Sequence, residues 1–225
     1  MLKACETAGM ERLDVHGRVR PHLRGVIHLA AAVASVVGLI ALVAVASTPT
    51  ALIAAIIYGF AGVLLYGVSS SYHLLAHSPK AQRIMRRIDH SMIFVLIAGT
   101  YTPVCMLALT GTGRWFLLAA VWIVALVGIF LKVSALERFP KLGSALYLAM
   151  GWLAIIALPG LWSRPGILIL GGVGGAVYTI GAILFFQQKP KGWPKWFGYH
   201  ELWHTLGVAA GVAFFAMNFY LISSA

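Results

Sequence analysis

The chain has 225 residues, 60% of them hydrophobic, and only six acidic residues against 17 Lys and Arg. That composition excludes an ordinary soluble domain, because apolar runs of about 20 residues, the length that spans a hydrocarbon core, recur along the chain. The net charge of +11 invites a nucleic-acid reading, but the basic residues sit between apolar runs, which points to a membrane and to no nucleic-acid partner.

Residues 1–24 read as a short basic tail, too small to fold alone, with Arg18, Arg20, Arg24 and Pro21 as an interfacial anchor. Residues 25–225 read as one transmembrane domain of seven spans, at roughly 25–47, 51–75, 88–109, 115–133, 142–161, 166–186 and 199–222. Ala44-Val45-Ala46-Ser47-Thr48 resembles a signal-cleavage region. The apolar run before it is longer than the roughly 7–15 residues of a signal core, so the first span is kept. A closed β-barrel would need alternating segments of about 10 residues, and none is found. The expected fold is an all-α membrane protein, a seven-transmembrane helix bundle.

Fifteen of the 17 cations fall on one side of these spans: Lys3, Arg12, Arg18, Arg20 and Arg24, then Lys80, Arg83, Arg86 and Arg87, then Lys132, Arg138 and Lys141, then Lys189, Lys191 and Lys195. Only Arg114 and Arg164 fall on the other. The positive-inside rule therefore predicts a cytoplasmic N-terminus and an outside C-terminus, in a multi-pass protein of the cell (inner) membrane. The basic face also suits anionic lipid headgroups.

The outer loops, around Thr48-Pro49-Thr50, Thr110 to Gly113 and Ser163-Arg164-Pro165, are too short to build a soluble ligand-binding domain. Pro103 removes a helix donor and is expected to kink span three. Gly171, Gly172, Gly174, Gly175 and Gly181 permit close helix approach in span six. Trp193, Trp196, Tyr199 and Trp203 read as an aromatic belt at the start of span seven, and Trp115 and Trp162 mark the opposite interface. Cys5 and Cys105 lie in different settings, so no disulfide framework is implied.

Topology brings five polar residues to one depth. Ser69 and His73 fall in the last turns of span two, Asp89 in the first turn of span three, and His200 and His204 in the first turns of span seven. Residues four apart share a helix face, so Ser69 pairs with His73 and His200 with His204. The second pair continues into Gly207 and Gly211, small residues that let span seven pack closely. Two histidines at this spacing chelate one ion, and a third from another helix completes the three-ligand set typical of catalytic zinc, which keeps a position for water. A carboxylate inside a membrane is a functional candidate by default; Asp89 would take a proton from activated water or orient a ligand, unless it merely caps span three. Ser69 would hydrogen-bond water or a substrate carbonyl, or bond back to its own helix. His28 and His90 stand as supporting candidates, whereas His16, His22 and His77 read as solvated or interfacial.

One competing pattern overlaps this set. His200-Glu201-Leu202-Trp203-His204 matches the HExxH signature of zinc metalloproteases, with Glu201 as general base. The third histidine, His73, with Ser69 four residues before it, argues against that reading.

Ser69-x-x-x-His73, His77-Ser78, the basic stretch to Ile88-Asp89-His90, Ile93-Phe94, Ala98-Gly99-Thr100-Tyr101-Thr102-Pro103 and His200-x-x-x-His204 together resemble the hemolysin III family, the bacterial branch of the progestin and adipoQ receptor group. The likeness covers all seven spans. It implies a seven-helix bundle with zinc held near the cytoplasmic side by His73, His200 and His204, and with Asp89 and Ser69 contacting or supporting water at the zinc. The family's N-terminal acidic residue has no clear counterpart, since Glu11 and Asp14 both lie far before span one. Eukaryotic relatives look like ceramidase-type hydrolases or lipid sensors, and bacterial ones carry a haemolysin name and links to membrane-lipid homeostasis. The expected function is a zinc-dependent intramembrane hydrolase of a lipid amide or ester. A lipid sensor or haemolysin-type pore with structural zinc is the first alternative, and a membrane metalloprotease the second.

Overall fold

The computed structural model describes residues 21–135, 140–191 and 196–225, with the backbone alone at 135 and 140–144. Lys3, Cys5, Glu11, Arg12, Asp14, His16, Arg18, Arg20, Arg138, Trp193, Lys195 and the side chain of Lys141 lie outside the described residues. The helices are α1 (Val26–Val45), α2 (Pro49–Leu75), α3 (Pro79–Pro103), α4 (Gly113–Ala135), α5 (Pro140–Trp152), α6 (Leu158–Leu161), α7 (Pro165–Gln187) and α8 (Tyr199–Ser223). Among the described residues no strand forms. Six helical segments are long and apolar enough to cross a membrane, and a shorter apolar stretch, Ala145–Leu161, lies between the fourth and fifth of them. The chain is an all-α membrane protein.

Local chemistry sets the helix starts. Thr48 accepts a hydrogen bond from the Ala51 amide at 3.2 Å, with Pro49 at the first helical position of α2. Ser78 does the same for Ala81, also at 3.2 Å, ahead of Pro79 in α3. Both pairs satisfy an orphan amide and preset the backbone for helix.

That second cap corrects two expectations. Helix α3 begins at Pro79 rather than near residue 88, so Lys80, Arg83, Arg86 and Arg87 lie on the helix and not in a loop. Their charge hid the first turns of α3 from a reading based on apolar runs. Asp89 consequently sits about three turns into α3 and caps nothing.

The expected fifth span, 142–161, is likewise not one continuous α-helix. Regular α5 stops at Trp152, a 3-10 turn covers Leu153–Ala157, and α6 adds four residues. Pro159 cannot donate to the carbonyl four residues before it, and its ring crowds the preceding turn. Tyr101 reaches from α3 to the end of α5, its hydroxyl meeting the carbonyls of Met150 at 3.0 Å and Gly151 at 2.8 Å. At Pro103 regular α3 ends and a π turn continues through Val104–Ala108.

The helices follow one another around a ring, α1 on α2, α2 on α3 and α3 on α4, and α8 closes it against α7 and α1. One core joins Phe94, Val121, Ala125 and Met150 at the centre of the α3, α4 and α5 contacts. A second joins Leu42, Ala51, Ala55 and Ile222 from α1, α2 and α8. The outward face is apolar: Val37, Ile40, Phe116 and Phe130 are each more than 60% exposed, an arrangement water does not tolerate over so large a patch. Polar residues are buried instead, among them His28, Ser69, His73, Glu201, His204 and Asn218. Glycines permit the close approaches. A Cβ on Gly174 would lie 2.8 Å from the Phe214 ring, and one on Gly211 would strike the Tyr66 hydroxyl. Gly172, Gly175 and Gly207 meet nothing, so only part of each expected small-residue stripe is used for packing.

Candidate metal centre

The last turns of α2 and the first turns of α8 meet beside the start of α1. His73 and His204 are buried and His200 is half-buried. Each offers one ligand nitrogen, and these nitrogens lie within 4.8 Å of one another. The rings stand 4.7 Å apart for His200 and His204, 4.9 Å for His73 and His204, and 5.0 Å for His73 and His200. None of these three pairs is stacked; the rings converge edge-on or tilted, as ligands around a common point do. An ion about 2.0–2.1 Å from each nitrogen would draw the three somewhat closer than they stand, a change within reach of ring rotation. The cluster can therefore hold a metal ion, and the set, three imidazoles free of carboxylate, suits a borderline transition metal.

His28 joins the cluster differently. Its ring stacks on His204 at 3.8 Å with an interplanar angle of 7°, and meets Tyr66 edge-on at 5.2 Å. A ligand ring holds its ion in its own plane, so a ring stacked face-to-face on His204 supports that ligand rather than sharing its ion.

Ser69, one turn before His73, faces the Asp89 carboxylate of α3. The neighbouring hydroxyls do otherwise: Ser70 and Ser71 both bond back to the Gly67 carbonyl, at 3.0 and 2.7 Å. Of the three serines, Ser69 is thus the one that reaches across to another helix. The Asp89 side chain is 13% exposed and lies 3.6 Å from His90 Nδ1. His90 Nδ1–H donates to the Arg86 carbonyl at 2.8 Å, which ties the ring to its own helix. His77 and His22 are exposed, as expected, with His22 packing on Trp196 at 4.8 Å.

Glu201 departs from the protease reading. It is 1% exposed, and both carboxylate oxygens are committed. Oε1 accepts from Arg24 Nε at 2.6 Å and Oε2 from the Gly198 amide at 2.8 Å. The second contact is the glutamate half of a capping box at the start of α8, since Gly198 has no side chain to return it, and a carboxylate there also favours the helix dipole. A base so engaged is not available to water. The ion pair with Arg24 spans 177 positions of sequence, and no local pattern announces it.

The profile of the family described as "Haemolysin-III related" matches residues 16–215. The chain is similar to "Hemolysin-3" of Bacillus cereus, 37% identical over 208 residues that cover 88% of this chain and 90% of that protein. It is similar to "Hemolysin-3 homolog" of Bacillus subtilis, 39% identical over 170 residues, 74% of this chain and 76% of the relative. A human "Monocyte to macrophage differentiation factor" is 26% identical over 181 residues, 76% of this chain and 72% of the relative.

Proposed function

Taking as premise that this chain belongs to the haemolysin-III family, we propose that it is a zinc-dependent intramembrane hydrolase of an amide or ester bond in a membrane lipid. The reading is carried by one observation: three histidine nitrogens within 4.8 Å of one another, with a Ser69–Asp89 pair beginning one turn away on the same face of α2. His73, His200 and His204 would hold the ion. Zinc there would supply Lewis-acid polarisation of a carbonyl and acidify water.

The remaining chemistry falls to the chain. Asp89 accepts a proton from the attacking water as its oxygen bonds the acyl carbon, and returns that proton to the leaving nitrogen or oxygen as the acyl bond breaks. Ser69 fixes the Asp89 carboxylate and steadies water or the substrate carbonyl. His28, stacked on His204, holds that ligand ring in place. The apolar outer face keeps the protein among its substrates. The site belongs on the cytoplasmic side of the cell membrane in this reading, since the basic residues crowd that end of the spans.

The test uses purified protein in liposomes containing N-acyl amide and ester lipids, with released fatty acid measured by mass spectrometry. Release that disappears in Asp89→Asn and His73→Ala is expected. No release from any lipid class, or release indifferent to both changes, would refute the proposal. A second reading takes its support from the hemolysin name that the two Bacillus relatives carry: membrane permeabilisation with zinc purely structural. Dye leakage from the same liposomes without fatty acid release would favour it. The metalloprotease reading is set aside because both oxygens of Glu201 are occupied.

A further inference from the structure

We propose that the elbow before α1, Arg24 and Gly25, together with Glu201 of α8, is the device that positions the metal ligands, so that Arg24 and Glu201 are positioning residues. This rests on the zinc reading above. Ligands to one ion come from two helices far apart in sequence, and a metal site tolerates displacements of only about 0.5 Å. Something must fix α8 against α2. The elbow touches both.

Arg24 Nε grips Glu201 Oε1 at 2.6 Å, and Glu201 adjoins His200 on the first turn of α8. Gly25 has φ +88°, and a Cβ there would lie 2.8 Å from the Cβ of His73 and 2.9 Å from Leu74 Cγ. Only glycine takes that backbone conformation without strain, and only glycine lets the elbow lie so close to the α2 ligand. Within the first turn of α1, His28 stacks on His204 at 3.8 Å. A stretch of five residues, 24–28, therefore contacts His73 and His204 directly and His200 through its neighbour. Glu201 completes the link by turning its other oxygen to the Gly198 amide, which fixes where α8 begins.

A simple fold brace would show the same contacts, so the test must separate the two roles. Purified full-length protein in nanodiscs is titrated with zinc against a fluorescent chelator, and thermal stability is followed without metal. Wild type is compared with Arg24→Gln, Glu201→Gln, the double variant and Gly25→Ala. His73→Ala reports on the site itself. Gly128→Ala, whose new methyl would strike the Phe94 ring away from the cluster, is the control for destabilisation alone.

Zinc affinity about 10–100-fold weaker is expected in the single elbow variants, as for other residues that orient a ligand from behind. The double variant removes both buried charges and so recovers stability relative to either single change; its affinity is expected to stay low. Arg24→Gln discriminates further, because a purely electrostatic role would tighten zinc binding once the nearby cation is gone. Elbow variants that bind zinc like wild type while melting like Gly128→Ala would overturn the proposal. So would tighter binding in Arg24→Gln, or affinity that returns with stability in the double variant. Zinc binding unaffected by His73→Ala would instead sink the metal reading, and the elbow's role with it.

Discussion

At one end of the bundle, where α2 finishes and α8 starts, four histidines from three helices crowd together with their rings against one another. At the opposite end, polar side chains are also buried or half-buried, yet most of their bonds close on backbone carbonyls. Thr100 bonds to Leu96 at 2.8 Å and Thr102 to Ala98 at 2.9 Å. Tyr101 bonds to Met150 and Gly151, and Trp122 donates to Thr102 at 3.2 Å. Burial of polar groups does not by itself mark a site in a membrane protein. What distinguishes the histidine end is that three ring nitrogens from two helices converge to within 4.8 Å of one another.

The comparison can be broken most sharply at the ligands. His73→Ala and His204→Ala are each expected to weaken zinc binding by more than about 100-fold, beyond the range seen for residues that merely support ligands. Elemental analysis of the purified variants reads this directly, and metal retained in either would make the two ends equivalent. Next comes Asp89→Asn, expected to lower lipid hydrolysis by about 10²–10⁴-fold, the usual contribution of a positioned acid–base group. Its zinc content should not change; parallel loss of metal would make Asp89 structural.

The far end should respond in the other currency. Tyr101→Phe leaves the Met150 and Gly151 carbonyls without their cross-helix donor, at a cost of about 1–3 kcal/mol. A lower melting temperature with full zinc content is expected. Thr102→Val should do the same more weakly, about 1 kcal/mol, since it removes one helix back-bond and the acceptor of Trp122. Zinc loss in either far-end variant would show that the two ends are coupled.

Much of this was readable from residue spacing. The i, i+4 pairing of His200 with His204, and of Ser69 with His73, survives unchanged because helical periodicity is a local property. Their meeting was inferred from topology, which needed only the order of spans. The start of α3 was misplaced because Arg83, Arg86 and Arg87 mask a helix that the Ser78-Pro79 pair announces in plain chemistry. The break in the fifth span carries its own signal in Pro159, to which hydropathy is blind because it does not register backbone donors. Arg24 and Glu201 were unreadable as a pair. A contact between residues so distant in sequence leaves no trace in one chain's pattern, and Glu201 already had a motif to explain it.

The pairing of Arg24 with Glu201 also orders events during biosynthesis. Chains emerge N-terminus first, at about 5–20 residues per second, so Arg24 and His73 leave the ribosome while α8 is still unmade. The last helix brings two of the three histidines and the acid that answers the arginine. Until it inserts, no three-histidine cluster exists to capture an ion, and a nascent or truncated chain lacking α8 cannot trap metal prematurely. Assembly of the proposed metal site is thereby tied to synthesis of α8.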